Sequence, residues 1–129
     1  MTNNTLAPES IDPVSLIVIT LSLLGLGSLL ITIAVRGHRG RLRSNHACGV
    51  RTRATLTDSA VWYRVHRLVA PWFGCAGVLL LAAVPPFLLL PGGLTRAVPV
   101  YIAFAVSMTL VIVGGIRCQR RALRELHTD

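Results

Sequence analysis

The sequence predicts an all-α membrane protein: three transmembrane helices, with a short cytoplasmic amphipathic helix between the first and the second. Three observations predict it. Of 129 residues, 53% are hydrophobic and only 14% charged, against roughly 25% charged in a soluble domain. Three runs carry no charge, 14–35, 68–95 and 97–116, and each reaches the roughly 20 residues a helix needs to cross the hydrocarbon core. The remaining segments are sharply unequal in arginine.

Residues 1–12 are polar, carry two acids and lack basic side chains. They read as an extracellular segment. Pro13 suits the first position of a helix, where its missing N–H is among donors that have no helical partner anyway. The first transmembrane helix is placed at 13–35. It reads as retained rather than as a cleaved leader, because a basic start and a small-residue cleavage site are absent and the run is too long.

Residues 36–67 form a loop with eight arginines, three histidines and one acid, Asp58. RGHRGRLRSN has no apolar period and reads as irregular chain. From Thr55 the character changes. Thr55 or Thr57 suits a helix N-cap, and Asp58 suits the first turn, where a helix dipole favours negative charge. Val61, Trp62, Val65, His66 and Val69 then recur at three- and four-residue spacing, predicting the short amphipathic helix. The second span is placed at 68–90, with Pro85-Pro86 expected to kink or fray its outer third because each lacks a backbone donor. An outer turn at 91–96 leads to the third span at 97–117, with Tyr101 near its outer boundary. Residues 118–129 form an arginine-bearing tail, and RRALREL can continue the third helix.

Orientation follows from charge. All 13 basic residues are arginine; twelve lie in 36–67 and in the segment from 117 onward, and Arg96 alone lies in the outer turn. Positive residues stay in the cytoplasm, so the N-terminus is expected outside and the loop and C-terminus inside.

Small residues mark where helices can approach in lipid: Ser22, Gly25 and Thr32 on the first span; Ala70, Gly74 and Gly77 on the second; Ala103, Ser107 and Gly114 on the third. These stripes can close the bundle or join a second copy as a homo-oligomer.

The informative stretch is Asn45 to Arg67. It carries Asn45, Gly49-Val50-Arg51-Thr52, Thr55-Leu56, Asp58, Trp62 and His66-Arg67. Gly49 permits a backbone turn toward the bilayer. Arg51 can bind phosphate or a carboxylate through both arms of its guanidinium. Thr52, Thr55 and Thr57 can satisfy loop backbone groups, and Trp62 can sit at the interface or plug the helix bundle. His66 lies one turn later on the same face. This pattern between two hydrophobic helices resembles the motif region of the SdpI family, bacterial multi-pass membrane proteins linked to immunity against a secreted toxic peptide and to signalling its presence. The resemblance implies an immunity or signal-transduction role in the bacterial inner membrane, a peptide toxin or a cytoplasmic regulator as partner, and Asn45, Gly49, Arg51, Thr52, Thr55, Asp58, Trp62, His66 and Arg67 as motif residues. Many relatives are acidic after the capping Ser/Thr; this chain has Asp58-Ser59-Ala60, so the reciprocal capping box lacks its Glu. Longer relatives also carry a further N-terminal membrane domain.

Other chemistries fit poorly. There is no nucleophile–base pair, no paired carboxylates and no metal-ligand cluster, so no enzyme and no cofactor are expected. His38, His46 and Cys48 lack paired-ligand spacing and a fourth donor for a metal. The odd set Cys48, Cys75 and Cys118 argues against a structural disulfide. The arginine-rich loop is expected to meet anionic headgroups rather than nucleic acid, since its single aromatic pair, Trp62-Tyr63, borders the membrane. A structural subunit that recruits a cytoplasmic partner is the alternative function.

Overall fold

The computed structural model of the chain describes residues 11–43 and 48–126. Among these residues five helices follow in order: α1 (Pro13–His38), α2 (Arg53–Thr57), α3 (Ser59–Ala82), α4 (Val84–Leu89) and α5 (Gly93–Leu126). Three helices among the described residues are long and apolar enough to cross a membrane, Pro13–His38, Ser59–Leu89 and Gly93–Glu125. The short helix between the first two spans is α2.

Local chemistry explains the ends of α1. Pro13 opens it, and the Asp12 carboxylate accepts a hydrogen bond from the Ser15 N–H at 3.0 Å. It stops at Gly40, whose φ is +64°. There the Gly40 N–H donates to Gly37 O and the Arg41 N–H to Arg36 O. Those two bonds satisfy carbonyls that a helix end otherwise leaves open. The first helix therefore runs three residues beyond the expected 35, because arginine and histidine stems tolerate the membrane boundary while their heads reach water.

The amphipathic stretch from Val61 to Val69 is not a separate helix. It forms the first turns of α3, which begins at Ser59 rather than at 68. Asp58 ends α2 and caps α3, its carboxylate accepting from the Ala60 N–H at 2.8 Å. Pro85-Pro86 do break the second span: α3 ends at Ala82, and α4 restarts as a short turn of helix with Phe87 almost wholly buried. Gly92, at φ +79°, turns the chain. Arg96 donates from its guanidinium to Leu90 O and braces this turn. α5 consequently starts at Gly93 rather than 97 and contains Pro99 near its beginning, where a missing N–H costs least.

Helix α3 is the centre of the bundle. It packs antiparallel against α1 on one side and α5 on the other. α1 and α3 cross with backbones touching at Gly27 and Gly77: a Cβ on Gly77 would stand 2.7 Å from Gly27 O. Ser107 ties α5 to α3, its hydroxyl donating to Ala76 O at 2.9 Å. Trp72 of α3 lies against Gly114 of α5.

The second- and third-helix stripes thus lie at contacts, but the first-helix stripe does not. Ser22, Gly25 and Thr32 face outward, and nothing lies within 4 Å of a Cβ placed on Gly25. The buried face of α1 is Leu23, Gly27, Leu30, Ile33, Ala34 and Gly37. Ser22 and Thr32 return their hydroxyls to their own helix, donating to Val18 O and Ser28 O. A hydroxyl that can bond four residues back gives no indication of where the neighbouring helix lies.

Candidate functional site

The end of the bundle that carries the arginines is closed by the motif loop. It begins where α1 stops. Leu42, the one apolar residue of RGHRGRLRSN, is buried. Its carbonyl accepts the indole N–H of Trp62 at 2.8 Å. Trp62 has 0% exposure, so of the two sequence readings the plug describes its position and the interface anchor does not. Asn45 lies outside the described residues.

The loop returns at Cys48-Gly49-Val50. Gly49 has φ +101°, a conformation L side chains rarely adopt. A Cβ there would also stand 2.1 Å from Nε2 of His66. That nitrogen accepts the Val50 N–H at 3.0 Å, while Nδ1 sits 2.8 Å from Trp62 O. An N–H can only donate and a carbonyl can only accept. The two bonds together therefore fix His66 as neutral imidazole with its proton on Nδ1. The His66 ring also packs on the Trp62 ring, centroids 4.1 Å apart. Both ring nitrogens are engaged by backbone, so Nε2 of His66 can bind a ligand or a metal only by releasing the loop.

Thr55 holds the next turn and is fully buried. Its Oγ1 takes the Thr52 N–H at 2.8 Å and lies 3.0 Å from Val50 O, to which it can donate. Oγ1 of Thr52 in turn accepts the Thr55 N–H at 3.4 Å. This is a reciprocal capping box with threonine in the place expected for Glu. The expectation that Thr55 or Thr57 is an N-cap is thus corrected: Thr52 caps α2 and Asp58 caps α3. Thr57 bonds back to Arg53 O inside its own helix.

From α5 the cap receives a third wall. Val50 lies against Gly115, and Ala122 is buried against Val61 and Val65. Arg64 on α3 donates to the Glu125 carboxylate at 2.9 Å, and Arg121 donates to its other oxygen at 2.9 Å. The hydrogen bond from Arg64, then that from Arg121, hold the Glu125 carboxyl below its usual range.

Thr52, Thr55, Trp62 and His66 are therefore one hydrogen-bonded unit, joined through the backbone of Val50 and Leu42, and Gly49 lies against its His66 ring. Arg51 is exposed on it. Asp58 is exposed and acts through its cap. Arg67 points away from the unit, into a cleft beside α1. Sequence reasoning missed Leu42 and quoted Val50 in the motif without giving it a role; both contribute backbone groups. It also missed Gly37, where a Cβ would stand 2.9 Å from His66 O. Leu42 could have been noticed as a lone apolar residue amid charge.

Compared with known families, the chain matches the SdpI/YfhL protein family over residues 41–117. The match takes in the motif loop, α2, α3, α4 and most of α5. No curated protein and no solved structure gives a match.

Proposed function

The chain belongs to the SdpI/YfhL protein family, and on that premise we propose that it is an immunity or signalling protein of a bacterial inner membrane, protecting against or sensing a membrane-active peptide toxin. One observation carries the reading: the arginine-bearing loop is bonded to the first turns of the central helix through Trp62 and His66. A peptide that wedges between α3 and either neighbour moves that end of α3 and strains the loop's hydrogen bonds. An event in the lipid is thereby passed to an exposed charged surface. A ligand shifts such an equilibrium only by binding one arrangement better than the other. In this reading the N-terminus is outside, the loop and C-terminus are inside, and no catalytic step is involved.

The test is survival. Cells expressing the chain are challenged with a panel of secreted membrane-active peptides, beside cells with an empty vector and cells expressing Arg51→Ala. Protection by the native chain, lowered by Arg51→Ala, is expected. Unchanged sensitivity to every peptide sinks the reading.

A second reading, a subunit that recruits a cytoplasmic protein, draws on α5. Beyond its apolar part this helix carries Arg117, Arg120, Arg121 and Arg124 around Glu125, lining a shallow cleft of about 380 Å³. Photocrosslinkers at Arg120 that recover only lipid in intact membranes count against it.

A further inference from the structure

We propose that the cleft between the charged ends of α1 and α3 is a binding site for one anionic phospholipid, with its phosphate between Arg39 and Arg67 and an acyl chain lying along Val35 and Pro71. The proposal does not depend on the toxin reading. It depends on the chain lying in a membrane.

The cleft is open and about 590 Å³, within the range of small-molecule sites. Its lining divides by depth. α1 runs toward the charged end and α3 away from it, so Val35, Leu68 and Pro71 lie on the membrane side and His38, Arg39 and Arg67 at the rim. The Arg67 guanidinium crosses to α1, reaching 3.9 Å from where a Cβ on Gly40 would stand. Two guanidinium-bearing residues from different helices thus flank one opening. Their planar forks match phosphate oxygens.

Nothing within the described protein neutralises them. The side chains of Arg39, Arg67 and His38 make no ion pair or hydrogen bond among the described residues. The two described acids at this end are engaged elsewhere, Asp58 with the Ala60 N–H and Glu125 with Arg64 and Arg121. The carbonyls of Arg36 and Gly37 at the end of α1 already have partners, so Arg67 is not needed to cap that helix. An anion from outside the described residues is what the charge calls for.

The apolar half decides which anion. A free phosphate would fill the rim and leave Val35, Leu68 and Pro71 uncovered; a phospholipid covers both. A second cleft of about 510 Å³ on the other side of Arg39 shares Val35 and Arg39 and continues down Ile31 and Thr32. One phosphate at Arg39 therefore has a groove on each side, one for each acyl chain of a glycerophospholipid.

The test takes the full chain in mild detergent. Equal amounts of phosphatidylglycerol and phosphatidylcholine are added, and retained lipid is counted by native mass spectrometry. One phosphatidylglycerol per chain is expected, at about tenfold over phosphatidylcholine. Arg39→Gln with Arg67→Gln should lower its occupancy about tenfold. Arg53→Gln with Arg120→Gln, which removes equal charge outside the cleft, should not. Equal loss from both pairs, or equal retention of the zwitterionic lipid by the native chain, overturns the proposal. A second measurement needs no variant. Phosphatidylglycerol should raise the native Tm, and phosphatidylcholine or inorganic phosphate should not; equal shifts overturn it. Either failure leaves the survival assay, and the reading it tests, unaffected.

Discussion

Gly49 must be glycine for two separate reasons, its φ of +101° and the 2.1 Å that would separate a Cβ from His66 Nε2. Gly49→Ala therefore strains the backbone and expels the ring that holds the Val50 N–H. The left-handed conformation costs an alanine about 1–2 kcal/mol, and the lost hydrogen bond about 1 kcal/mol more. A lower Tm in detergent is expected, with a red shift of Trp62 emission measured in a Trp72→Phe background. An unchanged spectrum would show that the ring never sat there. Trp62→Phe tests the adjoining bond. Phenylalanine keeps an aromatic ring in the site but offers no N–H, so the Leu42 carbonyl is left buried without its donor. That costs about 1–3 kcal/mol, read as a fall in Tm beyond that of Trp72→Phe, since Trp72 donates no bond among those described. These residues also show what a sequence can disclose. Trp62 and His66 were legible because their types and four-residue spacing are unusual. Leu42 and Val50 were not, because what they contribute is a carbonyl and an N–H. Every residue has the first and all but proline the second, so nothing in the side chain announces the role.

At the scale of helices, the same contrast separates length from facing. The three spans were legible because charge is costly in hydrocarbon, and the runs without it are long. Their ends were not. α1 extends to His38 and α3 begins at Ser59, since a helix of 26 residues is about 39 Å long and exceeds the roughly 30 Å it must cross. The facing of α1 was misjudged because small residues occur on two of its sides. Gly27 and Gly37 meet another backbone; Gly25 meets nothing. This yields a paired prediction. Gly77→Ala puts a methyl group 2.7 Å from Gly27 O, a backbone atom that cannot rotate away. Forcing α1 and α3 apart costs about 1–3 kcal/mol, and Tm should fall. Gly25→Ala adds the same methyl group to open space on the neighbouring helix, and Tm should stay within error. Equal effects would mean that α1 is rotated about its axis from the position described.

For the whole molecule, the folded arrangement adds something that counting alone could not. The C-terminal end of α1, the N-terminal end of α3 and the C-terminal end of α5 all lie together, because each helix runs antiparallel to the next. Ten arginines among the described residues of those ends, with Arg51 and Arg53 of the loop, therefore share one side of any membrane the bundle crosses, and Arg96 lies on the other. Such a difference fixes orientation through the cost of translocating positive charge. The expected outcome is tested with single cysteines in a chain whose Cys48, Cys75 and Cys118 are replaced by serine or alanine. Thr57→Cys and Thr95→Cys are suited to it, since both positions are exposed, lie at opposite ends and leave every arginine in place. An impermeant maleimide should label position 95 in intact cells, and position 57 only after the membrane is opened. The reverse pattern would place the arginines outside. The loop would then face the medium, and a signal passed inward through Trp62 and His66 would have no physical route.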